Sequence, residues 1–335
     1  NAGLSVFLFF LIGSIWVWVA WSAIKGDLIL PLILPIAAVL STLLVILPTQ
    51  MLGVYARFSR YIPTSLRTHL LANQPLSSGS RREELTVFFS DIRGFTAWVE
   101  ETEPDEVAST LNEYLSAMAN LTEKHGGTLD KFVGDCVMVF FGAPAERKDH
   151  AEATIRMAWA MQQRIEQLDE RWSRDGTTPL QVGMGINTDF VTFGNFGSHR
   201  FQDFTAIGRG VNLAARIESV APEGTILLSW RTKQLVDKIG KTRLFAEVLF
   251  KGIAKPVPVY ELFGVDDQLR QVEPAIWHLM DEGVDSPPYP VEGLRVMLNT
   301  GRITPETKVI EKDAPSPTTV AAVLDERDVT VKIDG

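Results

Sequence analysis

"FFSDIRGFT", Phe88–Thr96, sets an acid, Asp91, at the end of an apolar run and follows it with a turn containing Gly94. Beyond the turn, apolar positions recur at helical spacing from Phe95 to Lys124. A carboxylate at a strand end, beside the N–H groups of a helix N-terminus, is suited to hold a divalent metal and a phosphate together. Forty-four residues on, "KFVGDCVMVFFG" offers a second acid, Asp135, after Gly134 at an expected hairpin turn. Two carboxylates from adjacent strands can share Mg²⁺ ions, which favour a few carboxylates plus substrate phosphates over an all-protein cage. Taken singly, each acid reads equally well as a turn cap, because acids beside glycine often are.

The pattern around these motifs gives the fold class. A strand over Leu85–Ser90 and a helix over Phe95–Lys124 precede two short strands around Gly134-Asp135. A second helix is expected from Asp149 to Trp172, with Ala151, Ile155, Ala158, Met161, Ile165 and Leu168 three or four apart. Strands follow at "LQVGMGINT" and "RFQDFTAIG", then a helix at "GVNLAARIESV". The strand "TILLS", a short helix "RTKQLVD" and the strands "RLFAEVLF" and "VPVYELF" complete the region. Helices set around a mostly antiparallel sheet make an α+β domain. The order β-α-α-β-α-β points to a ferredoxin-like core.

The chain has 335 residues, 46% hydrophobic and 22% charged, enough for one large domain or two of ordinary size. Its apolar residues are unevenly placed: Leu4 to Ile24 and Leu28 to Leu47 carry no charge, and each is about the length a helix needs to cross a bilayer. No basic leader or small-residue cleavage site accompanies them, so residues 1–48 read as a transmembrane helical hairpin rather than a signal peptide. The alternative is a buried hairpin of a soluble protein. Arg57, Arg60, Arg67, Arg81 and Arg82 crowd the segment after the second run, which places the rest of the chain on the cytoplasmic side of the inner membrane. The start at Asn1, not Met, suggests that something precedes it.

Residues 49–83 read as a juxtamembrane connector and a polar linker, and 84–264 as the compact α+β domain. Residues 265–335 change character, with a short helix and a strand expected between Pro and Gly punctuation, and within them "VEGLRVMLNTGRITPETKV" resembles part of a GYF-type domain. A single cysteine, Cys136, excludes an internal disulfide. The five histidines lack ligand spacing, which speaks against zinc. A net charge of −9 with no basic stripe speaks against nucleic acid as the main partner.

"FFSDIRGFT", "LDKFVGDCVMVFFG" and "DFTAIGRGVNLAARIE", in this order and at these separations, resemble the catalytic domain of the class III adenylyl/guanylyl cyclases over about 180 residues. The spans and the connector "YIPTSLRTHLL" are similar to those of bacterial, notably cyanobacterial, cyclases whose membrane helices follow a CHASE-type sensor. The resemblance implies a two-metal site of Mg²⁺ or Mn²⁺ on Asp91, Asp135 and the carbonyl of Ile92, with Phe95 and Thr96 beside the triphosphate. It matches Lys131 and Thr205 to the purine-reading pair, Asn212 and Arg216 to the pair that orients the ribose and stabilises the transition state, and Lys251 to a triphosphate lysine. Where the family often has a second lysine two residues later, this chain has Ile253.

The resemblance further implies a membrane-anchored adenylate cyclase in signal transduction, converting ATP to 3′,5′-cyclic AMP and pyrophosphate at sites formed between the two domains of a head-to-tail homodimer. A guanylate cyclase, or a catalytically silent dimeric relay module, is the competing expectation. Lys131 can donate to adenine N1 and Thr205 accept from the 6-amino group, whereas guanine presents the opposite pattern, so adenine is favoured.

Overall fold

The computed structural model describes residues 80–198, 202–280, 286–311, 314 and 316–325, with isolated positions before residue 54. The chain divides into two compact units, Asn1–Pro63 and Thr64–Gly335. In the first, the described positions, among them Ser14, Ile15, Ser41 and Leu44, are helical. The expected membrane runs otherwise lie outside the described residues, as does most of the connector. Among the described residues no helix is long and apolar enough to cross a membrane.

In the second unit β1 (Arg81–Ile92) is followed by α1 (Phe95–Glu101) and α2 (Pro104–Lys124), the hairpin of β2 (Thr128–Val133) and β3 (Cys136–Phe141), α3 (His150–Asp175) and β4 (Val182–Gly197). These strands lie in the order β2-β3-β1-β4, every neighbour antiparallel. That is the ferredoxin-like arrangement expected from the element order. Next come β5 (Gln202–Ile207), α4 (Arg209–Ser219), β6 (Ile226–Ser229), α5 (Trp230–Val236), β7 (Gly240–Val248) and β8 (Val257–Val265). They extend the sheet through β6, β8 and β7, with β4 and β6 as its parallel pair.

Two expected elements differ from those found. The single helix over Phe95–Lys124 is two helices, broken at Thr102 and Glu103, which are extended with ψ of 144° and 136°. Pro104 is the cause: its ring bars the preceding residue from helical backbone and suits the first position of a new helix. β4 is also longer than the expected strand, running on to Gly197. Its first part pairs with β1, and Thr192–Gly197 pairs with β5, so the β4–β5 hairpin leaves the sheet as an arm.

β1 is buried on both faces because both are covered. On one face Phe88 and Ile92 pack with Tyr114 and Met118 of α2 and with Ile155, Ala158 and Ile165 of α3. On the other, Leu85 and Val87 pack with Phe140, Phe193, Val211 and Ala214, beneath α4 and the arm. Phe204 of the arm lies against Phe140 and Phe193, with ring centroids 6.3 and 6.2 Å apart, which brings β5 back toward β2.

Beyond β8 follow β9 (Gln268–Leu269), β10 (Trp277–Leu279), α6 (Val291–Asn299), β11 (Lys308–Glu311) and β12 (Thr318–Thr319). The last three strands make a sheet in the order β10-β11-β12. This segment shares a core with β7, β8 and α4: Tyr289, Leu294, Met297 and Val309 are buried against Phe245, Val248, Phe250 and Ile217. At the contact Gly293 of α6 lies so close to β7 that a methyl group there would fall 2.0 Å from the carbonyl oxygen of Phe245.

Candidate active site

Asp91 is the penultimate residue of β1 and Asp135 lies in the tight turn between β2 and β3, so β1–β3 pairing brings the two acids together across a 44-residue separation. The Ile92 N–H donates to Asp135 Oδ2 at 3.0 Å. Gly134, at φ 65°, adopts the left-handed backbone that lets the turn close and aim Asp135 at β1. Burial first, then the hydrogen bond to Asp135 and its charge, then the charge of Glu218, push the Asp91 carboxyl up to about 7, against the pull of Arg93. Like charges held this close cannot both ionise freely, and a proton or a cation must relieve them.

A divalent cation fits this donor set. Two carboxylates and the adjacent backbone carbonyl of Ile92 make half a coordination shell, and no cluster of three His, Cys, Asp or Glu side chains stands among the described residues. The remaining ligands would be phosphate oxygens or water, the habit of Mg²⁺ and not of a zinc cage. Gly94 precedes α1 at φ 68°, and no side chain caps that helix, so the backbone N–H groups of its first turn, beginning at Phe95 and Thr96, stay open. Cys136, beside Asp135, is half-buried; burial and the charge of Asp91 push its thiol up to about 12, so it remains a neutral packing residue.

The purine-reading candidates meet elsewhere on the same chain. The arm carries β5 to β2, where the Lys131 Nζ donates to Asp203 Oδ2 at 2.7 Å and the Thr205 Oγ1 donates to Asp130 Oδ2 at 2.7 Å. The Lys131–Asp203 pair is largely exposed, whereas Thr205 is buried. Asn212 and Arg216 stand one turn apart on α4, Asn212 exposed and Arg216 half-buried. Among the described residues no hydrogen bond or ion pair joins their side chains to Asp91, Asp135, Lys131 or Thr205. Lys251 is exposed in the turn between β7 and β8, likewise apart from the others. The chain thus brings Asp91 to Asp135 and Lys131 and Thr205 to the β2–β5 contact, and holds Asn212 and Arg216 on a helix tied by Glu218 to Arg93 beside Asp91.

Sequence reasoning missed that link. The Arg93 Nη2 donates to Glu218 Oε1 and to the Glu218 carbonyl oxygen, both at 2.5 Å, tying the end of β1 to the end of α4. Space for it comes from two alternate glycines on β4: Gly183, opposite Asp91, lies under the guanidinium, and Gly185 lies under the backbone of Glu218. A methyl group at Gly185 would sit 2.2 Å from the Glu218 backbone nitrogen. The signal available was "VGMGIN": glycines two apart in a buried strand mark a close approach of other groups on one face.

Residues 78–262 match the family described as the adenylate and guanylate cyclase catalytic domain. Adenylate cyclase 1 of Rhizobium meliloti is 30% identical over 211 residues, covering 62% of this chain and 32% of that protein. An adenylate cyclase of Anabaena cylindrica is 30% identical over 220 residues, covering 61% of this chain and 42% of that protein. This chain therefore spans less than half the length of these curated relatives. Among solved structures, the adenylyl cyclase CyaB from P. aeruginosa is similar at 44% identity and a TM-score of 0.55, over 58% of this chain and 100% of that one. The guanylyl cyclase Cya2 is similar at 35% identity and a TM-score of 0.54, with the same coverage.

Proposed function

Because the chain belongs to the adenylate and guanylate cyclase catalytic domain family, we propose that it is an adenylate cyclase, converting ATP to 3′,5′-cyclic AMP and pyrophosphate. The observation that carries this is the joined carboxylate pair of Asp91 and Asp135 beside an uncapped helix turn. When bound there, two divalent cations, Mg²⁺ or Mn²⁺, supply charge neutralisation at the ribose 3′-hydroxyl and at the leaving pyrophosphate. Asp91, Asp135 and the carbonyl of Ile92 hold them. The N–H groups at Phe95 and Thr96 receive phosphate oxygens, and Lys251 contributes charge at the triphosphate. Lys131 donates to adenine N1 and Thr205 accepts from the 6-amino group. Asn212 orients the ribose, and the Arg216 guanidinium meets the charge that develops on the α-phosphoryl group.

Among the described residues the Asn212 and Arg216 side chains make no hydrogen bond or ion pair with Asp91 or Asp135 of their own chain, which fits sites built between two head-to-tail copies, each giving its acids to one site and its α4 pair to the other. Residues 1–48 anchor the chain in the inner membrane with the catalytic domain on the cytoplasmic side, and residues 49–83 pass on a signal by changing how the two domains meet. Support for the anchor is the two uncharged runs and the arginines that follow them. The likeness to Cya2 keeps guanylate cyclase as the second substrate reading.

The test is to incubate the full chain in detergent with Mn²⁺ or Mg²⁺ and either ATP or GTP, and to identify the cyclic product. Cyclic AMP formation that falls at least about 1000-fold in Asp91→Ala is the expected result, since the metals and the charge they neutralise are lost together. No product from either nucleotide refutes a cyclase; product from GTP in preference to ATP refutes the substrate.

A further inference from the structure

Thr205 reads the base only if its hydroxyl presents the right polarity. A hydroxyl carries one proton and two lone pairs, so by itself it pairs with a donor or an acceptor and discriminates poorly between adenine and guanine at carbon 6. Here the proton is already committed: Thr205 Oγ1 donates to Asp130 Oδ2 at 2.7 Å, from a strand 75 residues away. Thr205 is 8% exposed, so the hydroxyl has little freedom to turn elsewhere. Asp130 Oδ1 is buried with no hydrogen-bond partner among the described residues. Thr205 is therefore the donor that satisfies this carboxylate, and releasing the proton would leave a buried charge unsolvated.

We propose that Asp130 is a specificity-determining residue. By accepting the Thr205 proton it makes Thr205 an obligate acceptor, and so selects a purine triphosphate with an exocyclic amino group at carbon 6 over one with a carbonyl there. The proposal rests on the adenylate cyclase reading for the placement of Thr205 at the base. Discrimination comes from both directions: an amino group finds lone pairs, while a carbonyl meets lone pairs and loses its partner. The carboxylate is ionised at neutral pH, since burial raises it only to about 6, with Thr205 and Lys131 holding it down and Asp203 acting against them. The neighbouring ion pair, Lys131 with Asp203, points the same way, because an ammonium suits the bare N1 of adenine and not the N1–H of guanine.

A plainer role for the contact is to pin the arm to β2, and nucleotide selectivity separates the two. The measurement is the ATP-to-GTP ratio of kcat/KM and, independently, the ratio of dissociation constants by equilibrium competition, for the full chain and for Asp130→Ala. With the proton freed, Thr205 can donate to a carbonyl, and both ratios should fall by about tenfold or more, the worth of one buried hydrogen bond of correct polarity. In a Thr205→Val background the same change should move neither ratio further. If Asp130→Ala does not fold, Asp130→Asn, whose amide can donate to Thr205, takes its place. Ratios within twofold of the unaltered chain, or equal losses with both nucleotides, overturn the proposal in either variant. If no nucleotide is cyclised, the cyclase reading falls while the binding ratio still decides the role of Asp130.

Discussion

Replacing Gly185 by alanine should cost turnover far more than stability. The added methyl group would meet the backbone nitrogen, Cα and Cβ of Glu218 at 2.2, 2.5 and 2.7 Å. Backbone atoms cannot swing aside as a side-chain tip can, and β4 is held in the sheet by β1 on one side and β6 on the other. The C-terminal end of α4 must therefore lift. Restoring the 2.2 Å contact to the 3.4 Å at which ordinary packing begins needs a displacement of about 1.2 Å. Arg216 is two residues from Glu218 on the same helix and moves with it. A misplacement of about 1 Å in a positioned group can lower a rate about 100-fold. Overpacking of a core costs about 1–3 kcal/mol, which at about 2–4 °C per kcal/mol for a domain of this size lowers the midpoint by roughly 2–12 °C. The assay is the initial rate of cyclic AMP formation at saturating ATP and Mn²⁺, beside a thermal melt of the same sample. A folded Gly185→Ala protein with kcat within threefold of the original would refute the idea that α4 is seated on this glycine.

Other substitutions test the remaining links. Gly183→Ala places its methyl group 2.0 Å from the Arg93 guanidinium, the movable tip of a side chain, so the Arg93–Glu218 pair should break without lifting α4. Its kcat should fall less than that of Gly185→Ala, and equal losses would count against the distinction. Because the Asp91 carboxyl is raised to about 7, protons compete with the metal below that pH. Mn²⁺ affinity, read by electron paramagnetic resonance, should rise as pH increases through about 7 and level off above it. In Asp135→Asn the charge that helps raise Asp91 is gone, so the midpoint of that rise should move down; an unmoved midpoint would sink the coupling. Gly293→Ala, with its methyl group 2.0 Å from a backbone carbonyl, should lower the midpoint of the single unfolding transition by roughly 2–12 °C. Separate melting of the C-terminal segment would contradict the shared core.

How far the sequence could be read depended on how locally each feature is encoded. The Asp91 and Asp135 motifs were legible because each is a strand end or turn with its own glycine, and strand pairing then joins them. The break in the first helical stretch was encoded too, in the "EPDE" around Pro104, but helical spacing on both sides masked it. The length of β4 was hidden because its last four residues, Gly194–Gly197, pair only with β5, and Phe190, 56% exposed, breaks the apolar alternation. Arg93 and Glu218 are 125 residues apart and a partly buried ion pair leaves no periodic trace, so only the glycines beneath them hinted at it. Asp130 sat next to Lys131 in a motif already singled out. Its role depends on the direction of one proton, which the strand pattern does not carry.

The match to the family ends at residue 262, whereas the folded body does not. α4 is held between two cores: Val211 and Ala214 face the sheet, and Ile217 faces the layer made with Tyr289, Leu294 and Met297. A chain cut at the family boundary would bare Phe245, Val248 and Phe250 together, a contiguous apolar surface of the kind that drives association. The helix bearing Asn212 and Arg216 would then rest on one support instead of two. For any comparison of isolated catalytic domains, this one has to be carried at least through Leu324, which packs in the shared core, and the segment beyond the cyclase motifs belongs to the enzyme's frame as much as to whatever else it does.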